Sequence, residues 1–299
     1  AMYSAKEDGR NCFHYYREEL SLKATRRSVI ESALRRSLQD QDFSLVLQPI
    51  IDLKRRRVVK AEALIRWQHT ELGDVRPDEF IPIAEEFGLI VDIGDWVLNE
   101  TCKSIHQLTD ERCDLESVAI NVSSVEFVKG DVAARFRQIT RDHNVRAEQI
   151  EIEITERYML EHGERSESEL SQLRELGHTI CVDDFGTGYS SLSYMKRLPL
   201  NIIKIDKSFT KNIPADQNDV EICQAIITLS HSLGYAVVAE GVETSEQLEF
   251  LVERSCDFAQ GFYFSKPVPV DDFAERVLEI NEQLRFEGST KARVRPIRA

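Results

Sequence analysis

From Phe43 onward, short runs of β-branched and apolar residues alternate with longer stretches whose apolar positions recur at helical spacing. The runs FSLVLQPII, VVKAEALIRW, SVAINVS, IEIEITE, HTICVDD, NIIKID, AVVAEGV and FAQGFYF read as strands. Between them, PDEFIPIAEEFG with GDWVLNETCKSIHQL, DVAARFRQITRDHN, ERSESELSQLRELG, SSLSYMKRL, DVEICQAIITLSHSLG and SEQLEFLVERS read as helices. Pro77 suits a first helical turn, and Gly177 and Gly234 suit C-terminal caps. Eight strands with intervening helices predict an α/β fold, a TIM-like (β/α)8 barrel. Only DLKRRR separates the first two strands. That link is too short for a crossover helix, so the two are predicted to pair as a hairpin, giving a barrel variant with one antiparallel strand.

The flanks differ from this body. Residues 17–41 are polar, with Leu20, Leu22, Ile30, Leu34 and Leu38 spaced for one helical face, and read as a connecting helix. Residues 1–16 look like the end of an earlier domain, residues 42–285 form the main domain, and the basic stretch 286–299 is expected to be a flexible tail.

Composition narrows the class. In 299 residues, 42% apolar and 30% charged content is that of an ordinary soluble globular chain, long enough to bury a core without disulfides or structural metal. A net charge of −14 argues against a duplex nucleic-acid partner and mostly reflects a solvated acidic surface; it leaves room for a small anion held through divalent metals. The basic residues 54–57 fall at the hairpin turn and read as solvent-facing. The six cysteines, scattered and without a C-x-x-C pair, fit free thiols in the cytoplasm. No run approaches a membrane span.

Polar residues interrupt the apolar strands at a consistent place, near their C-terminal ends: Glu62, Asn121, Glu153 with Glu156, Asp183 with Asp184, Lys204 with Asp206, Glu240 with Glu243, and Gln260. In a barrel these converge on the mouth where active sites lie. Carboxylates gathered there repel one another and lose solvation, and Lys204 offers one positive charge against at least four acids. Divalent metals are the natural remainder, and oxygen donors with one amide suit Mg²⁺ or Mn²⁺. The adjacent acids Asp183 and Asp184 suit two ions. Such ions, about 3.5–4 Å apart, activate a water and stabilise in-line displacement at phosphorus. A single strand-end acid is more often a cap or salt-bridge partner; the set of them on one rim is what points to chemistry. Glu151 shares the parity of Glu153, so depth along the strand must separate the two. Gly186, Thr187 and Gly188 follow the acidic pair and form either an ordinary glycine-rich turn or a lid coupled to metal binding.

These segments, EALIRW (residues 62–67), NVS (121–123), EITE (153–156), DDFGTGYSSL (183–192), KID (204–206), AEGVE (239–243) and QGFYFSKPVP (260–269), in this order closely resemble the EAL-domain family of cyclic di-GMP phosphodiesterases, over roughly residues 40–280. The opening AMYSAKEDGRN resembles the C-terminal end of a GGDEF diguanylate-cyclase domain, so the chain is expected to be a piece of a longer GGDEF–EAL tandem protein, itself without cyclase activity and free to be anchored at the inner membrane elsewhere. The resemblance implies hydrolysis of cyclic di-GMP to linear pGpG with two divalent metal ions. Glu62, Asn121, Glu153 and Asp183 would bind one ion, and Asp183 would bridge to a second supported by Asp184 and Glu240. Lys204 would hold the attacking water or the developing charge, acting with Glu62, Asp183 and Glu240 as the catalytic group. Glu156 would tether the loop at Gly186, Thr187 and Gly188. Glu243 and Gln260 would support the site, and Gln48, Arg66, Asp206 and Gln260 would contact substrate. Family members often pair barrel to barrel, so a homodimer is expected. LQPI, with Leu47 where an aromatic residue is more usual, and GFYF after Gln260 are mild departures that touch no implied ligand. The rival expectation, a receptor that binds cyclic di-GMP without cleaving it, is disfavoured by the intact ligand set.

Overall fold

Among the described residues, ten strands form one sheet. The computed structural model describes residues 18–292 apart from 41, 130, 188–194 and 196. Of the segment 190–198, expected to be helical, residues 190–194 and 196 therefore fall outside the described residues, as do Gly188 and residues 1–16. The chain divides into two compact units, residues 45–65 with 94–299 and residues 1–44 with 66–93.

The larger unit carries a closed ring. Its strands are β1 (Phe43–Asp52) from residue 45, β2 (Arg57–His69) as far as residue 65, β4 (Ser117–Asn121), β5 (Ile150–Thr155), β6 (Thr179–Phe185), β7 (Ile202–Ile205), β8 (Ala236–Ala239) and β9 (Phe258–Ala259). They follow one another in the order β1-β9-β8-β7-β6-β5-β4-β2, and a β1–β2 pairing closes the barrel. Every neighbour from β2 through β4 to β9 runs parallel. β1 runs antiparallel to β9, the one reversed strand of the ring. Its turn is organised by Asp52, whose Oδ1 accepts from the backbone N–H groups of Lys54 and Arg55 at 2.9 and 2.7 Å, while Arg56 takes a positive φ of 53°. The basic run thus sits on a tight turn.

Helices fill the crossovers: α3 (Ile90–Asp110), α4 (Ser124–Lys129), α5 (Val132–Asp142), α6 (Glu156–Glu175), α7 (Lys207–Thr210), α8 (Gln217–Ser232), α9 (Ser245–Glu253) and α10 (Val270–Ala292). The start of α8 is fixed by Asp216, which accepts from the N–H groups of Asn218 and Asp219, and a Thr244–Gln247 capping box starts α9. α10 runs to Ala292. Phe273, Val277, Ile280 and Leu284, spaced along one face, are all buried and hold it in place. A short strand, β10 (Val268–Pro269), pairs antiparallel with β1.

Beneath the rim the barrel is packed. Ile50, Cys181, Ile202 and Val238 form a buried cluster, with Ala236 and Phe258 against it. Beside it Lys60 Nζ donates to Glu151 Oε2 at 2.7 Å and lies 4.8 Å from the ring centre of Phe258. Glu151, one layer below Glu153 on the same face, is therefore neutralised within the floor; this is the depth difference that parity could not give.

The smaller unit joins α1 (Glu18–Asp40), β3 (Gly73–Val75) and α2 (Pro77–Phe87). Pro77 opens α2, and Gly88 closes it in the left-handed conformation. Trp67 packs edge-on to Phe80 at 5.4 Å and donates through Nε1 to Ser37 Oγ at 3.0 Å. Ile30, Ala33, Leu34 and Ser37 make the buried face of α1. Among the described residues, no helix is long and apolar enough to cross a membrane.

Candidate active site

Parallel strands buried on both faces read as continuous apolar runs, and β7 follows this with Ile202, Ile203 and Ile205. The exception is Lys204, which is fully buried. Its Nζ lies 2.7 Å from Glu240 Oε1, 3.0 Å from Glu153 Oε2, and 3.4 Å from both Glu62 Oε2 and Asp183 Oδ1. Four strands or strand ends, β2, β5, β6 and β8, thus deliver one carboxylate each to a single ammonium.

The remaining donors lock this arrangement. Glu62 Oε1 accepts from Asn121 Nδ2 at 2.8 Å, and Glu62 Oε2 accepts from Gln260 Nε2 at 2.7 Å. Gln260 Nε2 also reaches Gln48 Oε1 at 3.0 Å, and Gln48 Nε2 donates to the carbonyl of Ser265 at 3.2 Å. Asn121 turns its nitrogen end to Glu62, whereas the ligand role implied for it uses the amide oxygen.

Two neighbouring acids on a regular strand point to opposite faces. β6 avoids this through a register shift between Val182 and Phe185. Asp184 sits there at φ 54°, with its N–H donating to Asp183 Oδ1 at 2.9 Å. As a result Asp183, Asp184 and Glu240 each offer an oxygen within 4.8 Å of the others. Gly186 follows at φ 99°, and its N–H donates to Glu156 Oε2 at 3.0 Å; Thr187 Oγ1 donates to the Asp184 carbonyl at 2.8 Å.

The other implied residues have different surroundings. Asp206 accepts from the N–H of Ser208 at 3.0 Å as the cap of α7, Glu243 is exposed, and Arg66 is half-buried in the smaller unit. Lys60, Thr210 and Gln247 are among the buried polar side chains that were not singled out in the sequence. Thr210 and Gln247 hold backbone near the rim; the pattern T-x-x-Q at 244–247, a capping box, was the available signal for Gln247.

The electrostatics call for more positive charge. Burial drives Glu153 well above the usual carboxylate range, with Glu62 and Asp183 adding to it and Lys204 opposing. Burial likewise lifts Glu240 to about 7 and raises Asp184, where Asp183 and Asp206 reinforce it. For Glu62 burial also acts upward, but Lys204, Gln260 and Asn121 outweigh it and hold the carboxyl low. Lys204 is raised because its four carboxylates overcome the cost of burial. The oxygens Glu153 Oε1 and Gln260 Oε1 are buried without a hydrogen-bond partner. An all-oxygen donor set, a deficit of positive charge and orphaned buried acceptors together fit hard divalent cations. The second acidic group, Glu151, Glu153 and Cys181, fits less well: Lys60 already neutralises Glu151, and burial keeps the Cys181 thiol protonated.

The family model described as EAL domain matches residues 31–267. The chain is 40% identical over 280 residues to the signaling protein YkoW of Bacillus subtilis, covering 93% of this chain and 35% of YkoW. It is 39% identical to the cyclic di-GMP phosphodiesterase NbdA of Pseudomonas aeruginosa, covering 90% of this chain and 34% of NbdA. A solved structure described as the PaMucR phosphodiesterase in complex with c-di-GMP superposes with a TM-score of 0.78 at 36% identity, over 82% of this chain and 99% of that one. The chain spans only about a third of the length of these curated relatives.

Proposed function

Because the chain belongs to the EAL-domain family, we propose that it is a metal-dependent phosphodiesterase that opens cyclic di-GMP to linear pGpG by attack of water on one phosphodiester. The observation that carries this reading is Lys204 held among Glu62, Glu153, Asp183 and Glu240 on the barrel rim. Its support is that relatives sharing the family carry this activity in their names, and that a related structure holds the dinucleotide.

Glu62, Asn121, Glu153 and Asp183 would hold one Mg²⁺ or Mn²⁺, and Asp183, Asp184 and Glu240 a second. When bound, the pair supplies an activated water and neutralises charge gathering at phosphorus. Lys204 keeps a fixed positive charge in a site closed from below, where it orients the attacking water and balances the developing oxyanion. Gln260 and Asn121 hold the Glu62 carboxylate in one orientation, so the ligand shell is set before substrate arrives. Gln48 and Asp206 are assigned to substrate, with Gln260 reaching both Gln48 and Glu62. Glu156 ties the start of the loop after β6 to the barrel.

Incubating the purified chain with cyclic di-GMP and Mg²⁺ and separating products by chromatography tests the reading. Linear pGpG should appear, and should vanish with chelator or with Glu62→Ala. Tight binding of cyclic di-GMP without any pGpG would overturn it in favour of a receptor. We further assign the chain to the cytoplasmic EAL half of a longer GGDEF–EAL protein that pairs as a dimer. The tandem context is supported by the GGDEF-like opening segment and by the greater length of the relatives; the pairing is carried over from the family resemblance alone. Sedimentation of the chain with and without cyclic di-GMP tests the pairing.

A further inference from the structure

At this rim the amide of Gln247 is used completely. Its Oε1 accepts from the N–H groups of Glu243 at 2.6 Å and Thr244 at 2.9 Å. Its Nε2 donates to the carbonyls of Thr210 at 3.0 Å and Lys211 at 3.1 Å. A primary amide has two acceptor sites and two N–H bonds, and all four are engaged here. The side chain is 3% exposed, so each of these bonds replaces one to water that is no longer available.

A capping box accounts for only half of this. Starting α9 needs the acceptor end of residue 247, reaching back to the N–H at Thr244. The donor end instead crosses to another crossover, the turn of α7 that follows Lys204 and Asp206. From that turn Thr210 Oγ1 donates to the carbonyl of Glu240. Thr210 and Gln247 therefore fasten both ends of the segment running from Glu240 to Thr244 onto the segment that follows Lys204. Gly241, between them, packs so closely on Lys207 that a Cβ there would lie 2.6 Å from the Lys207 Cβ.

We propose that Gln247, acting with Thr210, is a positioning residue: it fixes Glu240 against Lys204, and through this contact sets the geometry of the reacting site. The proposal rests on the phosphodiesterase reading, and its test separates the two. Gln247→Glu keeps the acceptor that caps α9 and removes the paired donors to Thr210 and Lys211. Thr244→Ala does the reverse, weakening the cap while leaving both donors. With cyclic di-GMP and Mg²⁺, Gln247→Glu should lower kcat by about tenfold or more while KM moves less than about twofold, since small misplacement of reacting groups is costly. Thr244→Ala should lower the melting temperature with kcat retained. Thr210→Val, which removes the bond to the Glu240 carbonyl without changing shape, should fall with Gln247→Glu, and it decides the matter if that variant does not fold.

A readout without turnover accompanies this: the rise in melting temperature on adding Mn²⁺ should be smaller in Gln247→Glu and Thr210→Val than in the wild type. Wild-type kcat in both variants, or an undiminished Mn²⁺ response, overturns the proposal. A wild type that makes no pGpG but still responds to Mn²⁺ sinks the phosphodiesterase reading alone, and the Mn²⁺ comparison then decides the role of Gln247. A wild type with neither response overturns both.

Discussion

The carboxylate of Glu156, the first residue of α6, accepts a 3.0 Å hydrogen bond from the backbone N–H of Gly186, the residue that leaves β6. Two consecutive crossovers are joined at the point where the acid-bearing strand ends. Glu156 is nearly inaccessible, so the bond has no competing water. Glu156→Ala would leave the Gly186 N–H unpaired, a cost of about 1–3 kcal/mol placed on the loop. Turnover should fall about tenfold or more with the fold intact by circular dichroism, and Glu156→Gln, which keeps an acceptor, should recover much of it. Equal activity in Glu156→Ala and wild type would remove the tether from the mechanism.

Lys204→Met tests the charge balance of the rim. It deletes the single ammonium shared by four carboxylates, and breaking a buried ion cluster from one side costs about 3–5 kcal/mol. The variant should melt well below the wild type in chelator and regain a large part of the difference in Mg²⁺, because a divalent cation takes over the compensation. It should not regain turnover. An Mg²⁺ response no greater than that of the wild type would count against cation binding at these acids.

Glu126 gives a pH dependence outside this cluster. It is buried against Arg135, which donates to it at 3.0 Å and also pairs with Asp95, and it accepts from the N–H of Ser123 at 3.2 Å. Burial pushes its carboxyl up to about 7, with Arg135 opposing. The folded state therefore holds a proton that the unfolded chain releases near the ordinary glutamate value of 4.5. This contribution to stability is complete below about pH 4.5 and is lost as the pH rises through about 7, a change of roughly 3 kcal/mol. Glu126→Gln should flatten the melting temperature between pH 5 and 8, with the variant gaining on the wild type at the alkaline end. Parallel curves for the two proteins would show that Glu126 titrates normally.

Gly261 follows Gln260 where two loops touch. A Cβ at this position would lie 2.1 Å from the carbonyl oxygen and 2.3 Å from the nitrogen of Val242, both backbone atoms that cannot swing aside. Val242 bonds to the chain on either side, donating to the Gln260 carbonyl at 3.1 Å and accepting from Tyr263 at 2.9 Å. Gly261→Ala should destabilise by about 1–3 kcal/mol and, by shifting Gln260 away from Glu62, lower turnover beyond what the loss of stability explains. Thermal melts together with kcat on the folded protein check both parts.

The ring of eight strands was legible because parallel strands buried on both faces leave apolar runs, and the polar residues that break those runs mark one end of each strand. What the sequence hid is depth and direction. Glu151 and Glu153 are indistinguishable by alternation, and only the reach of Lys60 separates a neutralised acid in the floor from one on the rim. Asp183 and Asp184 should face opposite ways on a regular strand; the register shift that reunites them has no mark in composition. Gln247 was passed over: local pattern can show its capping contact with Thr244 but not the carbonyls 36 and 37 positions earlier in the chain. The helix Val270–Ala292 was not among those read from the sequence, although its buried residues Phe273, Val277, Ile280 and Leu284 carry helical spacing.

Ile50, Cys181, Ile202 and Val238 plug the barrel below the rim. The site is therefore a cup rather than a passage: what enters over the lip must leave over the same lip. On the proposed reaction, substrate and product share one doorway, and a linear dinucleotide still at the lip blocks the next cyclic one. Inhibition by pGpG should accordingly be competitive, raising KM with kcat untouched, and a mixed pattern in initial-rate measurements would mean that pGpG also binds while the lip is occupied by substrate.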